Sequence, residues 1–120
     1  MNDIKKIIYL SHNYGGEESK KKHIEAVIKS LVKRYPDYTF LSPVHALGFL
    51  YDYISYEDGM RHCLALLDMC DECWSVDGYN DSKGCVIEQS YCADHRIPTV
   101  LIRDCAKCEY NDKIRCDVDY

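Results

Sequence analysis

The sequence predicts an α/β protein, a Rossmann-like or flavodoxin-like three-layer sandwich around a small parallel sheet of four to five strands. Short apolar runs alternate along the 120 residues with longer segments whose apolar side chains recur at helical spacing. Polar loops, several of them containing glycine, separate these runs. Because strands that alternate with helices form parallel sheets with right-handed crossovers, the loops that follow the strands should meet at one edge of the sheet.

The first half of the chain contains two predicted strands and one predicted helix. Residues 4–10 form the first strand, which ends in a polar loop. Residues 17–35 carry apolar side chains at helical spacing and are followed by Pro36, so we predict a helix there. Tyr38–Leu41 is the second predicted strand, and residues 42–54 are predicted to be a long loop rich in aromatic side chains.

Capping signals divide the second half of the chain. Ser55 and Asp58 approximate a capping box, which predicts a helix that begins at Ser55. Ser82 can cap a further helix, since it follows an apolar run and a polar turn. The predicted elements are a helix over residues 55–69, a strand over 73–76, a turn over 77–81, a helix over 82–95 and a strand over 98–102.

A chain of this length can bury a single core, and we predict one domain over residues 1–102. Residues 103–120 form a polar, cysteine-containing tail that should pack on the domain or extend it. The net charge of −5 disfavours a nucleic-acid polymer as partner, and no apolar run approaches the roughly 20 residues that span a bilayer. No signal peptide is visible, so we expect a cytoplasmic protein without a membrane partner.

Eight cysteines are many for 120 residues. Four of them fall within predicted helices and strands, and we interpret the eight as mostly reduced thiols of a cytosolic protein. Two CxxC pairs end at Cys73 and Cys108, and Cys116 follows the second pair. A zinc site built on Cys105, Cys108 and Cys116 is the weaker alternative, because it lacks an obvious fourth ligand. We therefore predict neither a metal nor a cofactor.

The segment from Ser82 to Glu88 is the strongest functional signal. It reads as a polar turn that opens a helix directly after a strand, an arrangement that favours anion binding at the backbone N–H groups. Gly84 leaves those groups open, and Glu88 lies one to two turns further along the helix. A carboxylate in that position could receive a sugar carbon while the helix start holds a phosphate. The alternative is a surface glutamate on an amphipathic helix.

These residues give the chain a resemblance to the nucleoside 2-deoxyribosyltransferase-like superfamily, over residues 7 to 101. Within the superfamily it is most similar to a small bacterial and phage family described as a domain of unknown function. The order and spacing of several short segments carry the resemblance. They are residues 8–16 (IYLSHNYGG), residues 42–46 (SPVHA), residues 70–74 (CDECW), the pattern Ser82-x-Gly84-x-x-x-Glu88, and Ala93 with the pair Ile97-Pro98.

The resemblance implies a role for each matching residue. Glu88 would be the nucleophile that attacks the anomeric carbon of a sugar and forms a glycosyl–enzyme ester. Ser82 stands where the transferase branch usually has aspartate, and it is similar to the branch that hydrolyses deoxynucleoside 5′-monophosphates. In that branch this serine and Gly84 hold the 5′-phosphate. Tyr9 would contact the sugar.

Further residues of the predicted site come from the loops after the strands. Gly15 and Gly16 would let the backbone approach the ligand. Asp77 follows the third strand directly and could protonate a departing base, or it could simply make an Asx turn. His45 could bond the base or order its own loop.

Aromatic and polar side chains complete the set of candidates. Phe49 is the first of several aromatic residues that could close over a base as a lid, and packing between two copies of the chain explains them equally well. His12 and Asn13 shape the first loop, and either could touch phosphate. The other members of the possible lid are Tyr51, Tyr53 and Tyr56.

Two functional interpretations remain open beside the zinc alternative. The first is a hydrolase or transferase that acts on the N-glycosidic bond of (deoxy)nucleoside 5′-monophosphates. The second is a binding protein, sensor or sequestering protein for a nucleotide-derived signal. Val86 stands where the superfamily has glycine, which should narrow the pocket, and an arginine expected in the first loop is missing. Either way we expect a small nucleotide as ligand and a homo-oligomer with its sites near the subunit interface.

Overall fold

A parallel sheet forms the middle layer of the protein. The computed structural model describes residues 3–76 and 82–102 and the backbone of residues 118–119. The strand order is β2-β1-β3-β4-β5, in which β1 to β4 are parallel and β5 runs antiparallel to β4. The predicted α/β sandwich is confirmed, with an antiparallel fifth strand that the sequence did not indicate. The strands are β1 (Lys6–Ser11), β2 (Tyr38–Leu41), β3 (Glu72–Val76), β4 (Thr99–Ile102) and β5 (Val118–Asp119).

Four α-helices flank the sheet in the described part of the chain, and the three longer ones begin and end within two residues of their predicted bounds. None of these helices has the length and apolar character that crossing a bilayer requires. The helices are α1 (Glu18–Arg34), α2 (Pro43–Leu47), α3 (Tyr56–Asp68) and α4 (Lys83–His95), with a 3₁₀ helix at Gly48–Leu50 between α2 and α3.

The prediction of a long loop over residues 42–54 is wrong, because its first nine residues are mostly helical. Ser42 caps α2, and its Oγ accepts a hydrogen bond from the backbone N–H of His45 at 3.3 Å. Pro43 occupies the first helical position, where a missing N–H costs nothing. Because the segment is rich in aromatic residues, we predicted a loop and gave this helix start no weight. The 3₁₀ helix at Gly48–Leu50 follows α2 directly.

The central strand β1 divides the core into two halves. Side chains alternate between the two faces of a strand, so Ile8 and Leu10 lie on one face and Tyr9 lies on the other. Ile8 and Leu10 pack with α1, whereas Tyr9 packs with Leu67 of α3 and Cys92 of α4. All of these residues are almost fully buried. Strand β1 is therefore covered on both faces, as in other parallel sheets.

The topology determines where a ligand can bind. The chain runs from β1 outwards to β2 and then returns across β1 to β3, so the strand order changes direction between β1 and β3. In open α/β sheets the crevice at such a point, beyond the carboxyl ends of the strands, is the usual ligand site. The loop after β1 and the start of α4 meet there.

Two glycines with positive φ shape the loop after β1. Gly15 has φ +58° and Gly16 has φ +78°, a region that favours glycine. A Cβ on Gly16 would lie 2.8 Å from Cε2 of Tyr51, so the ring packs directly on the glycine. The Tyr51 ring also meets Tyr14 edge to face at 5.4 Å. The loop is thus joined to the segment that follows the 3₁₀ helix.

We expect Gly16→Ala to destabilise the protein by about 1–2 kcal/mol, because alanine is strained at positive φ and its methyl group collides with the Tyr51 ring. Gly59→Ala is the matched control. Gly59 lies inside α3, and a Cβ there would meet no atom within 4 Å, so alanine should stabilise by about 0.5–1 kcal/mol. Urea denaturation measures both values, and equal effects of the two substitutions would contradict this account.

Candidate functional site

A cavity of about 330 Å³ opens at the carboxyl edge of the sheet. The loop after β1, the segment 43–63 and the first half of α4 line it. Segment 43–63 supplies mainly aliphatic and aromatic side chains, whereas the loop and α4 supply the charged and polar ones. Eight of the candidates predicted from the sequence line the cavity, namely His12, Asn13, Gly15, Tyr51, Tyr56, Ser82, Gly84 and Glu88.

The start of α4 forms one end of the cavity. Ser82 caps the helix, and its Oγ accepts a hydrogen bond from the backbone N–H of Cys85 at 3.3 Å. A Cβ on Gly84 would lie 3.3 Å from the hydroxyl oxygen of Tyr56 and 3.5 Å from Sδ of Met60. Glycine therefore lets α3 approach the first turn of α4. The free N–H groups of that turn, the helix dipole and the Lys83 side chain favour an anion at this end.

Glu88 is the buried charge of the site. Its side chain is 5% exposed, which excludes the alternative of a surface glutamate. Oε2 accepts a hydrogen bond from the Tyr9 hydroxyl at 2.5 Å, and Oε1 accepts one from the Ser11 hydroxyl at 2.6 Å. Tyr9 and Ser11 are two residues apart on β1 and so face the same side of the sheet. Strand β1 thus presents two donors to one carboxylate.

Burial and hydrogen bonding have opposite effects on the charge of Glu88. Burial raises the pKa of Glu88 above its usual value, and the hydrogen bonds from Ser11 and Tyr9 lower it in part. The pKa of Tyr9 lies well above its usual value, first because of burial and then because of the Glu88 charge. Tyr9 therefore remains a neutral donor. Each carboxylate oxygen keeps a second acceptor site, and the residue borders the cavity.

Two thiols lie beside this carboxylate. Burial and then the charge of Glu88 raise the pKa of Cys63 to about 11. Burial also raises the pKa of Cys85, although hydrogen bonds from Ser11 and Ser82 oppose the shift. Both cysteines therefore stay protonated at neutral pH and are poor nucleophiles and metal ligands. In residues 3–76 and 82–102, no three His, Cys, Asp or Glu side chains converge as metal ligands would.

The loop after β1 contributes an ordered polar surface. The Nδ1 of His12 lies 2.7 Å from the carbonyl oxygen of Asn13 and donates to it, because a carbonyl can only accept. The Nε2 of the same ring lies 2.9 Å from Nδ1 of His23 on α1. His12 is therefore held in one orientation at the rim of the cavity. His23 supports this orientation.

Four residues predicted to bind a ligand lie outside the cavity. Tyr9 is fully buried behind Glu88, so its hydroxyl reaches the carboxylate and not a sugar. Gly16 is covered by the Tyr51 ring. His45 bonds Ser42 and Glu25, each at 2.8 Å, and Phe49 is 80% exposed on the outer surface. The positions of these four correct the predicted direct contacts.

Two other predictions concern residues near α4. Val86 is 43% exposed and does not line the cavity, so it does not narrow the pocket as its position in the pattern suggested. Asp77, the predicted acid, lies outside the described residues. The tail cysteines of the zinc alternative, Cys105, Cys108 and Cys116, also lie outside them.

The sequence reasoning missed Ser11 and underrated α3. Alternation along β1 places Ser11 on the same face as Tyr9, so a buried partner of Glu88 could have been predicted from the strand period. Tyr56, Met60 and Cys63 line the cavity from the first two turns of α3. Their spacing of four and three residues puts them on one helix face, which is a detectable signal.

We expect Tyr9→Phe to destabilise the protein by about 1.5–3 kcal/mol, because it removes a hydrogen bond to a buried carboxylate. Tyr91→Phe is the matched control, since the Tyr91 hydroxyl donates to Asp68 at 2.6 Å in an exposed pair. It should change the free energy of unfolding far less. Urea denaturation of both variants at pH 7 checks the difference, and similar losses would show that burial of Glu88 does not matter.

The raised pKa of Glu88 has a consequence for stability. The folded protein holds this proton more tightly than the unfolded chain, so ionising Glu88 costs stability as pH rises through the folded pKa. Glu88→Gln removes this cost. We expect the variant to gain stability relative to wild type as pH rises from about 4 to 7, in paired urea titrations. A difference that stays constant or shrinks with pH would refute the assignment.

Comparison with known proteins places the chain in a family. The protein shares its fold with a 2-deoxyribosyltransferase from Bacillus psychrosaccharolyticus, described as a biocatalyst for nucleoside synthesis. The TM-score is 0.61 at 22% identity, over 81% of this chain and 72% of the other. No curated protein sequence matches the chain. The model of the family described as a domain of unknown function (DUF4406) matches residues 6–101, and the chain belongs to that family.

Proposed function

We propose that the protein cleaves or transfers the N-glycosidic bond of (deoxy)nucleoside 5′-monophosphates, with Glu88 as the nucleophile. One observation carries the proposal. The Glu88 carboxylate is buried, accepts hydrogen bonds from two hydroxyl groups and borders a cavity of ligand size. It lies on α4, six residues after the Ser82 that caps this helix. Fixed orientation and exclusion of water are what a carboxylate needs in order to attack a sugar carbon.

Glu88 would form and then lose a covalent bond to the sugar. One carboxylate oxygen attacks the anomeric carbon as the C–N bond breaks, and the base leaves with the bonding electrons and takes up a proton. Water then attacks the same anomeric carbon and gives its proton to a general base, and the bond between that carbon and the Glu88 oxygen breaks, which returns Glu88 to its ionised form. A second base in place of water would complete a transfer. This displacement changes no oxidation state, so it needs no redox cofactor.

The two hydrogen bonds that Glu88 accepts suit such a step. A negative charge beside the anomeric carbon stabilises the positive charge that develops on the sugar in the transition state. The hydroxyls of Tyr9 and Ser11 keep the carboxylate in place and favour its ionised form. Tyr9 and Ser11 are therefore positioning residues, which act on the sugar only through Glu88.

The phosphate would bind at the start of α4. Ser82 and Gly84 are the notable residues there, and Lys83 adds a positive charge. Glu88 lies six residues after Ser82, which corresponds to about 9 Å along the helix axis. A nucleotide carries its phosphate on C5′ and its base on C1′, so a phosphate bound near Ser82 would leave the anomeric carbon further along the helix, towards Glu88.

The base would then occupy the part of the cavity lined by segment 43–63. Tyr14 and Tyr51 supply aromatic rings beside aliphatic side chains, and such surfaces pack against planar bases. Asp77 remains our candidate for the acid that protonates the leaving base. The enzyme from Bacillus psychrosaccharolyticus is named for deoxyribosyl transfer, and its shared fold supports chemistry on the same class of bond.

We also propose a homo-oligomer whose contacts lie near the mouth of the cavity. Phe49 is 80% exposed and Tyr53 is 82% exposed, and both flank residues that line the cavity. Exposed apolar side chains that cluster in this way commonly mark an interface. A second copy of the chain could therefore border the site.

Release of free base from a panel of deoxy- and ribonucleoside 5′-monophosphates tests the function. We expect release by wild type, weaker or absent release from the matching nucleosides without phosphate, and a loss on the order of a thousand-fold or more in Glu88→Gln. Glu18→Gln, an exposed carboxylate on α1, is the control and should keep full activity.

The outcomes separate the two open interpretations. Release that depends on Glu88 and not on Glu18 supports the enzyme. Nucleotide binding by calorimetry without any release would make the protein a sensor or sequestering protein. If neither binding nor release is seen with folded protein, a nucleotide is the wrong ligand.

A further inference from the structure

We infer that the cavity selects nucleotides whose base carries an apolar substituent, an inference that rests on the proposed function and narrows its substrate class. The observation behind it is the uneven chemistry of the cavity wall. Charged and polar side chains gather at the start of α4 and on the loop after β1, whereas the wall from α2 to α3 is largely aliphatic, with Ser55, Tyr56 and His62 as its polar members.

That wall offers little to the hydrogen-bonding edge of a base. Its aliphatic side chains are those of Val44, Leu47, Leu50, Ile54 and Met60. Among the described residues, these five come from consecutive short elements, α2, the 3₁₀ helix, the following turn and the start of α3. All five line the cavity and lie between residues 44 and 60.

The aromatic neighbours do not change this character. The hydroxyl of Tyr14 lies against the backbone of the 3₁₀ helix, since a Cβ on Gly48 would be 3.6 Å from that oxygen. The ring of Tyr51 packs on Gly16 and meets Tyr14 edge to face. Both rings are held by these contacts, so they present fixed surfaces to a ligand.

Two opposing effects decide which base fits. An amino or carbonyl group on an unsubstituted base loses its water against aliphatic side chains and gains no partner, which weakens binding. An alkyl group at the same position loses no hydrogen bond, and each methylene that it buries strengthens binding by about fourfold. Purine or pyrimidine nucleotides with an alkyl or similar apolar group on the base should therefore be preferred.

The preference indicates which class of reaction would supply the substrate. The phosphate and the sugar are common to all nucleotides, so recognition at Ser82 and Glu88 cannot distinguish a modified base from an unmodified one. The aliphatic wall supplies the distinction. The substrate would come from reactions that alkylate bases or release modified nucleotides, and the product would be the free modified base.

Paired ligands test the inference directly. The pairs are deoxyadenosine monophosphate with its N6-butyl derivative, and deoxyuridine monophosphate with its 5-butyl derivative. We measure dissociation constants by calorimetry on Glu88→Gln, which blocks turnover, and kcat/KM on wild type. We expect the butyl member of at least one pair to bind about tenfold more tightly or more, and to be cleaved with the higher kcat/KM.

Two variants of the wall and one matched control locate the effect. Leu47→Asn and Ile54→Ser should each reduce the preference to less than threefold, and thermal melting shows whether both are folded. Val32→Asn is the control, because Val32 lies on α1, is 42% exposed and does not line the cavity, so it should leave the preference unchanged.

The inference and the proposed function fail in different ways. Equal treatment of both members in both pairs, or preference for the unsubstituted nucleotides, overturns the inference while the enzyme proposal stands. A preference that survives in Leu47→Asn and Ile54→Ser overturns the role of the wall. Absence of binding and cleavage for all four nucleotides overturns the proposed function, and the inference with it.

Discussion

The pairing of Glu88 with two hydroxyls of β1 is the interaction on which the site depends. A carboxylate that is 5% exposed loses most of its contact with water, and an ion in such surroundings is stable only when hydrogen bonds replace the lost water. Tyr9 and Ser11 supply them from the central strand, which is itself covered on both faces. A strand buried on both faces therefore sets the position of the group to which we assign the chemistry.

Glycines and tyrosines meet at two borders of the cavity. Tyr51 packs on Gly16 in the loop after β1, and the hydroxyl of Tyr56 approaches Gly84 at the start of α4. A Cβ on Gly16 would collide with the Tyr51 ring, and a Cβ on Gly84 would lie tightly against the Tyr56 hydroxyl at 3.3 Å. The two contacts tie segment 43–63 to the loop and to the helix that carry the polar residues. The shape of the cavity thus depends on two glycines, whose bare backbone allows Tyr51 and Tyr56 to come close.

Much of the architecture could be predicted because it follows from apolar periodicity and capping residues. Ser55 and Ser82 cap the helices that they were expected to begin, and Tyr38–Leu41 is the predicted second strand. The segment after Ser42 was harder to predict, since α2 has a capping serine and Pro43 but only five residues, too few to show an apolar periodicity. The antiparallel β5 is only two residues long and gives no periodic signal.

The site was predictable in part for a related reason. Glu88 stands out because its distance from a helix start is visible in the sequence, whereas the role of Tyr9 depends on which face of β1 meets α4. The displacement of His45 and Phe49 from the cavity depends on the helical turn of segment 43–50, which the sequence did not reveal.

The alternation along β1 makes Glu88 part of what specifies the fold. If β1 slipped by one residue against its neighbours, every side chain would change face. Ile8 and Leu10 would then meet the buried carboxylate, while Tyr9 and Ser11 would point their hydroxyls into the apolar layer beneath α1. The Glu88 carboxylate would then lack hydrogen-bond donors on one face of the sheet, and the two hydroxyls would lack an acceptor on the other face. The acidic group that suits chemistry therefore also penalises the wrong pairing of the central strand.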